Sequence, residues 1–84
     1  MNKNLNFKPV TPGESLKEVL SFKKTTPGRL SLVTGINRKT IEEIINGKII
    51  ISEKIAKKLF KGTGIPANIW LNLESNYQEL LKRK

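Results

Sequence analysis

The fold is decided by residues 26–47, which read TPGRLSLVTGINRKTIEEIING. Thr26 is a typical helix cap, and Pro27 fits the first helical position because the N–H at that position has no partner inside the helix. Gly35 favours the left-handed conformation that often ends a helix, and Asn37 is a second typical cap. The stretch therefore predicts two short helices joined by a glycine turn.

The apolar residues in this stretch indicate how the two helices pack. Leu30 and Val33 share one face of the first helix and are predicted to point inward. Ile41 and Ile44 have the same spacing in the second helix. Short helices that pack together across a glycine turn form a helix-turn-helix, which the sequence predicts at about 26–46.

The first turn of the second helix is polar, although its inner face is isoleucine. In a helix-turn-helix, the N-terminal residues of the second helix reach base edges in the major groove of DNA. Arg38 or Lys39 can pair with guanine O6 and N7, and Thr40 can contact a phosphate or a thymine methyl group. Asn37 is expected to act mainly as the helix cap, with DNA contact as a second role. The pattern favours a recognition helix over a merely solvated face.

Glu42 and Glu43 lie in the next turn and allow two interpretations. Either carboxylate could accept a hydrogen bond from cytosine N4 in the major groove. Either could instead pair with a basic residue one helical turn away. The sequence leaves both open.

The charge of the chain favours a polyanionic partner. Its formal net charge is +9, and most of the surplus lies before residue 62. A small basic domain is typical of nucleic-acid binding, although lysines also serve solubility. Lys24 precedes the first helix of the helix-turn-helix, Arg29 lies within it and Lys48 follows the second helix. All three are predicted to contact phosphates.

Composition argues against an enzyme or a metal protein. The 84 residues include no histidine and no cysteine, and the seven carboxylates do not cluster. Because the usual general base and the usual zinc ligands are absent, we expect no catalytic residue, no cofactor and no metal. No apolar run is long enough to span a membrane and no secretory signal is present, which predicts a cytoplasmic protein.

Three further helices are predicted around this pair, so that the fold class is all-α with five helices. Their predicted limits are Thr11 to about Phe22, Ser52 to a break at Gly62 and Gly64, and Pro66 onward. The fourth helix carries four apolar residues, Ile55, Ala56, Leu59 and Phe60. Residues 1–10 lack helical periodicity and are predicted to form a flexible arm before the DNA-binding domain, residues 11–84.

The last helix carries an apolar stripe at helical spacing, formed by Ile69, Leu73, Tyr77 and Leu80. Trp70 is expected in the core. A long helix has more apolar surface than four short helices can cover. Tyr77, Leu80 and Leu81 are therefore predicted to line the seam of a homodimer.

Three segments of the chain together resemble the HigA/VapI-type antitoxins of the Xre-like, lambda-repressor-type helix-turn-helix family. They are PGESLKEVL at 12–20, IEEIINGK at 41–48 and GIPANIWLNLESNYQELL at 64–81. The resemblance implies a five-helix fold, a homodimer on a palindromic operator in double-stranded DNA, and repression of the protein's own operon. It also implies a RelE-like HigB partner, an mRNA-cleaving toxin that the antitoxin neutralises.

The resemblance further implies which residues occupy the DNA-binding positions of the recognition helix. Carried over by motif, these are Asn37, Arg38, Lys39, Thr40, Glu42, Glu43 and Asn46. Pro27 stands where the family often has a phosphate-binding glutamine, so the N–H of Gly28 is the candidate for that phosphate contact. Thr34 stands where a leucine is usual, which predicts either looser packing or a compensating hydroxyl bond.

Two other functions remain open from the sequence. The chain could be a stand-alone Xre-family regulator without a toxin, or the DNA-binding domain of a longer regulator, because residues 64–81 also resemble such proteins. It could also be a protein-interaction module whose lysines serve only solubility. RNA binding is disfavoured, since the few aromatic residues offer no stacking platform.

Overall fold

The computed structural model describes residues 11–82, which form five α-helices and no strand. The helices are α1 (Pro12–Phe22), α2 (Pro27–Thr34), α3 (Arg38–Ile45), α4 (Glu53–Thr63) and α5 (Ala67–Lys82). The all-α class and the helix-turn-helix formed by α2 and α3 are confirmed. The predicted arm at residues 1–10 lies outside the described residues.

Local sequence sets the helix starts, as predicted. In each of the first four helices a side-chain oxygen just before the helix accepts a hydrogen bond from an N–H of the first turn, at 2.8–3.3 Å. The four caps are Thr11, Thr26, Asn37 and Ser52. Pro66 directly precedes α5, and its C=O accepts from the N–H of Ile69 at 3.0 Å.

One core is shared by all five helices. Helix α2 packs on α3 and α4, α1 packs on α3 and α5, and α4 packs on α5. The largest completely buried side chains come from four of the helices: Leu16, Ile41, Ile44, Leu59 and Trp70. The predicted burial of Ile41, Ile44 and Trp70 is therefore confirmed.

Val33 does not face inward, so that prediction was wrong. Its side chain is 60% exposed, and the buried residues of α2 are Leu30 and Thr34. Thr34 is tolerated in the core because its hydroxyl donates to the C=O of Leu30 at 2.8 Å and accepts from the N–H of Ile36 at 3.1 Å. Of the two outcomes expected for this threonine, the compensating hydroxyl bond is the one observed.

Gly62 does not break α4, which continues through Thr63. A Cβ atom at Gly62 would lie 2.5 Å from Leu30 Cδ1 and 2.6 Å from Thr34 Cγ2. The glycine is needed because α2 and α4 approach closely at this point, and Gly64, with φ of 79°, ends the helix. Phe60 belongs to the apolar residues of the same helix but is 49% exposed.

The inner face of α5 differs from the predicted stripe. Trp70 and Glu74 are its buried residues, one position after Ile69 and Leu73. Ile69 is 42% exposed. Because an α-helix turns by about 100° per residue, the predicted stripe lies on a flank of α5 between the core and the solvent.

Candidate nucleic-acid interface

The polar first turn of α3 stands on a buried apolar base. Arg38 and Lys39 are exposed, Thr40 is half-buried, and Ile41 and Ile44 directly beneath them are in the core. The isoleucines fix the helix against α1 and α2, since α3 packs on both of these helices. Three long or polar side chains are thereby presented outward from a rigid helix end.

Asn37 is both the cap of α3 and an exposed side chain. Its Oδ1 accepts a hydrogen bond from the N–H of Lys39 at 2.8 Å, so the predicted capping role is confirmed. The remaining N–H groups of the first turn are directed out of the N-terminal end of the helix, where they favour negatively charged groups such as phosphate.

Arg38 and Glu42 form an ion pair along α3. Arg38 Nε lies 3.2 Å from Glu42 Oε2; the Arg38 side chain is largely exposed and that of Glu42 is about half exposed. Of the two interpretations of Glu42, the structure contains the pairing of residues four apart. The guanidinium Nη groups of Arg38 are not used in this contact. Glu43 is half-buried beside it.

The other predicted contacts on α3 lie at its far end. Asn46 is the C-terminal cap, and its N–H donates to the C=O of Glu42 at 3.0 Å. Gly47, with φ of 74°, then turns the chain, and the N–H of Lys48 donates to the C=O of Glu43 at 2.8 Å. Asn46 and Lys48 are exposed, but the length of α3, about 12 Å at 1.5 Å per residue, separates them from the polar first turn.

The start of α2 presents a second group of predicted contacts. Lys24 has a positive φ of 55° in the turn after α1 and is exposed. Arg29 is exposed in the first turn of α2, and its N–H donates to the Thr26 hydroxyl at 3.2 Å. At Gly28 a Cβ atom would meet only the Thr26 hydroxyl, at 3.9 Å, so packing does not demand a glycine there.

The residues predicted for the dimer seam form a separate group on α5. Tyr77 and Leu80 are half-buried, and Leu81 is 40% exposed. Tyr77 lines a small cavity together with Gly47 and Lys48. Tyr77 therefore lies close to the C-terminal end of α3, at the opposite end of that helix from its polar first turn.

Glu74, a buried carboxylate on α5, was not predicted from the sequence. Its side chain is only 8% exposed, and Oε1 accepts from the N–H of Ile51 at 2.9 Å while Oε2 accepts from Gln78 Nε2 at 2.7 Å. The one available signal was its position four residues after Trp70, which places both on the same face of the helix. Within residues 11–82 no group of acidic residues is arranged to hold a metal ion, and no helix could cross a membrane.

The fold is shared with solved structures of antitoxins. A candidate antidote protein of a plasmid maintenance system from Nostoc punctiforme is 29% identical, with a TM-score of 0.84 over 90% of this chain and 84% of that chain. The antitoxin HigA of Pseudomonas aeruginosa, solved with the higBA promoter, is 28% identical, with a TM-score of 0.82 over 89% and 83%.

A third similar structure has the highest identity of the three. It is an addiction module antidote protein of a HigA family from Coxiella burnetii, which is 30% identical, with a TM-score of 0.76 over 86% of this chain and 79% of that chain. No protein-family model matches the chain, and no curated protein matches it.

Proposed function

The chain belongs to the HigA family of antitoxins, and from that premise we propose that it represses its own operon by binding operator DNA and neutralises a RelE-like toxin. The observation that supports DNA binding best is the polar, exposed first turn of α3 on its buried isoleucine base. A structurally similar antitoxin is known with its promoter.

In the proposed complex the first turn of α3 enters the major groove. Arg38 and Lys39 donate to guanine O6 and N7, and Thr40 contacts a phosphate or a thymine methyl group. Asn37 completes this group beside its capping role. Arg38 leaves Glu42 when it binds a base, so Glu42 pairs with the arginine only in the DNA-free protein.

Phosphate contacts surround the groove contacts in this proposal. Lys24, the Gly28 N–H and Arg29 act from the start of α2, and Asn46 and Lys48 act from the end of α3. Such contacts fix the register of the protein on DNA without reading sequence. They also make binding strongly salt-dependent, because each neutralised phosphate releases counterions.

Two copies are needed to read a palindromic operator. We propose that the exposed flank of α5 forms the homodimer seam through Tyr77, Leu80 and Leu81. The two α3 helices then lie in successive major grooves, about 34–36 Å apart. Leu81, at 40% exposure, is an apolar side chain that such a seam would cover.

DNA binding is tested by fluorescence anisotropy with two labelled duplexes. One carries the sequence upstream of the protein's own coding sequence, and the other is a shuffled duplex of equal length. We expect tighter binding to the upstream duplex and a steep loss of affinity with rising salt. Equal, salt-independent binding to both duplexes would instead favour a protein-interaction module.

The toxin partner is tested separately. The tagged protein is isolated from its native cell at moderate salt, and the co-purifying proteins are identified by mass spectrometry. We expect a small basic RelE-like protein at near-equal stoichiometry. Recovery of DNA and a second copy of the chain alone would leave a stand-alone repressor and remove the antitoxin function.

A further inference from the structure

We propose that Glu74 is a positioning residue for DNA binding, which acts from α5 through the segment between the recognition helix and α4. By holding that segment, Glu74 sets the place of Lys48. The inference rests on the proposed function, in which Lys48 contacts a phosphate.

Glu74 is unusual because its buried carboxylate is satisfied by neutral donors. One oxygen accepts from the backbone N–H of Ile51 at 2.9 Å, and the other accepts from Gln78 Nε2 at 2.7 Å. Burying a carboxylate is costly, and hydrogen bonds from surrounding donors offset part of that cost. A residue of this kind is expected where its hydrogen bonds fix something, and here it fixes a backbone segment 23 positions away in sequence.

The segment between α3 and α4 is held by the buried side chain of Ile51 and by hydrogen bonds at its two ends. The N–H of Lys48 donates to the C=O of Glu43 at 2.8 Å, and Ser52 caps α4 through the N–H of Ile55 at 3.3 Å. Both contacts join the segment to the helix on its own side. The bond from Ile51 to Glu74 is the hydrogen bond that ties the segment to α5, and it acts beside the Ile51 side chain, which is buried in the core.

Loss of the Glu74 carboxylate leaves the Ile51 N–H buried without a partner. Unpaired buried N–H groups are costly, so the segment is expected to move until this N–H meets water. A cavity of about 70 Å³ beside the segment, lined by Gly47, Lys48, Glu74 and Tyr77 among others, provides room for that movement. Lys48, three residues from Ile51, then no longer holds its place beside α3.

The hydrogen bond, and not the charge, is what the proposal requires. In Glu74→Gln the amide oxygen can still accept from Ile51, and the amide N–H can donate to Gln78 after that side chain turns its own amide over. Glu74→Gln therefore keeps the segment in place. Glu74→Leu removes both hydrogen bonds. In Glu74→Asp the side chain is one methylene shorter, so its carboxylate no longer reaches the Ile51 N–H and Gln78.

The experiment measures the slope of log affinity against log salt for the upstream duplex. We expect Lys48→Ala and Glu74→Leu each to lower the magnitude of the slope by about 0.9, the value for one phosphate. The slope of the double variant should have the same magnitude as that of either single variant, since both changes remove the same phosphate contact. Glu74→Gln should keep the wild-type slope.

Thr63→Val is the control for a purely structural effect. It removes a buried hydroxyl that bonds to Leu59 and Ile65 at the other end of α4. We expect it to lower the thermal unfolding midpoint in circular dichroism and to leave the slope unchanged. If Glu74→Leu does not fold, Glu74→Asp carries the same expectation.

Different results overturn different claims. A wild-type slope in a folded Glu74→Leu or Glu74→Asp variant, a slope unaffected by Lys48→Ala, or additive losses in the double variant would each overturn the role of Glu74. Salt-independent binding by the wild-type protein would overturn the proposed DNA-binding function itself.

Discussion

The turn at residues 34–36 and the turn at residues 63–65 have the same sequence, Thr-Gly-Ile, and the same geometry. In each, the threonine hydroxyl donates to the C=O four residues earlier at 2.8 Å and accepts from the isoleucine N–H at 3.1 Å. In each, the glycine has a φ of 79°. The first turn joins α2 to α3 and the second joins α4 to α5.

The residues directly after the two turns are different. The first turn leads to Asn37, Arg38 and Lys39, whereas the second leads to Pro66 and Ala67. The cap and the two basic residues open the proposed recognition helix. The proline opens a helix that packs against α4. The same Thr-Gly-Ile turn thus joins two helix pairs, and the proposed DNA-reading role depends on the residues after the turn.

The largest effect is expected from removing the basic residues after the first turn. Arg38→Ala and Lys39→Ala should each cost about 1–3 kcal/mol of operator binding, the worth of one bidentate base contact. Asn68→Ala is the matched control, because Asn68 comes after the second turn at the position that Lys39 has after the first. Anisotropy titrations measure all three, and an equal loss on shuffled DNA would show phosphate contacts instead of base reading.

The next largest effect is expected from the two threonines. Thr34→Val leaves the buried N–H of Ile36 without its acceptor, and Thr63→Val does the same to the part-buried N–H of Ile65. Each change should lower the free energy of unfolding by about 1–3 kcal/mol. Urea denaturation should give similar values for both. Only Thr34→Val should also weaken operator binding, since Ile36 leads directly into α3. Equal effects of both variants on DNA binding would contradict the separation of the two turns.

Residues whose role is local were predictable from the sequence. Thr11, Thr26, Asn37 and Ser52 are caps as predicted, because a cap bonds only to the turn beside it. The exposed first turn of α3 arises from the same local pattern. The DNA contacts themselves stay predictions.

Residues whose role depends on another helix were not predictable. Val33 is turned outward because α2 meets α4 at Gly62, and periodicity within α2 carries no information about that approach. Glu74 bonds to Ile51 across the fold, and a glutamate in a helix normally indicates a solvated face. The apolar stripe of α5 likewise does not mark its buried face, because that face is set by the packing of α5 on α1 and α4.

A smaller effect is expected from the two turn glycines. Gly35→Ala and Gly64→Ala should each cost about 1–2 kcal/mol, since a residue with a Cβ atom is strained in the left-handed conformation. At both glycines a Cβ atom would meet nothing within 4 Å, so backbone strain is the whole effect. Chemical denaturation should therefore give nearly equal losses, and a clear inequality would mean that the two turns differ in rigidity.

The smallest effect on stability is expected from two ion pairs, one on α3 after the first turn and one on α4 before the second. Arg38–Glu42 and Glu53–Lys57 are both exposed pairs four residues apart, at 3.2 and 3.5 Å. Such pairs contribute about 0.3–0.5 kcal/mol, and the order with the acid first is the better one. Glu42→Gln and Glu53→Gln should therefore change the free energy of unfolding in urea only slightly, with Glu53→Gln the larger.

DNA binding should separate the two ion pairs more clearly than stability does. If Glu42 only holds Arg38 in the free protein, Glu42→Gln frees the guanidinium and removes a negative charge near phosphates, so affinity should rise on operator and shuffled DNA alike. If Glu42 instead accepts from cytosine N4, affinity should fall on the operator alone. The observed 3.2 Å pair leads us to expect the first outcome. Glu53→Gln measures how much DNA affinity changes when an acidic residue is removed from α4. Only the additional rise in affinity in Glu42→Gln therefore reports the release of Arg38.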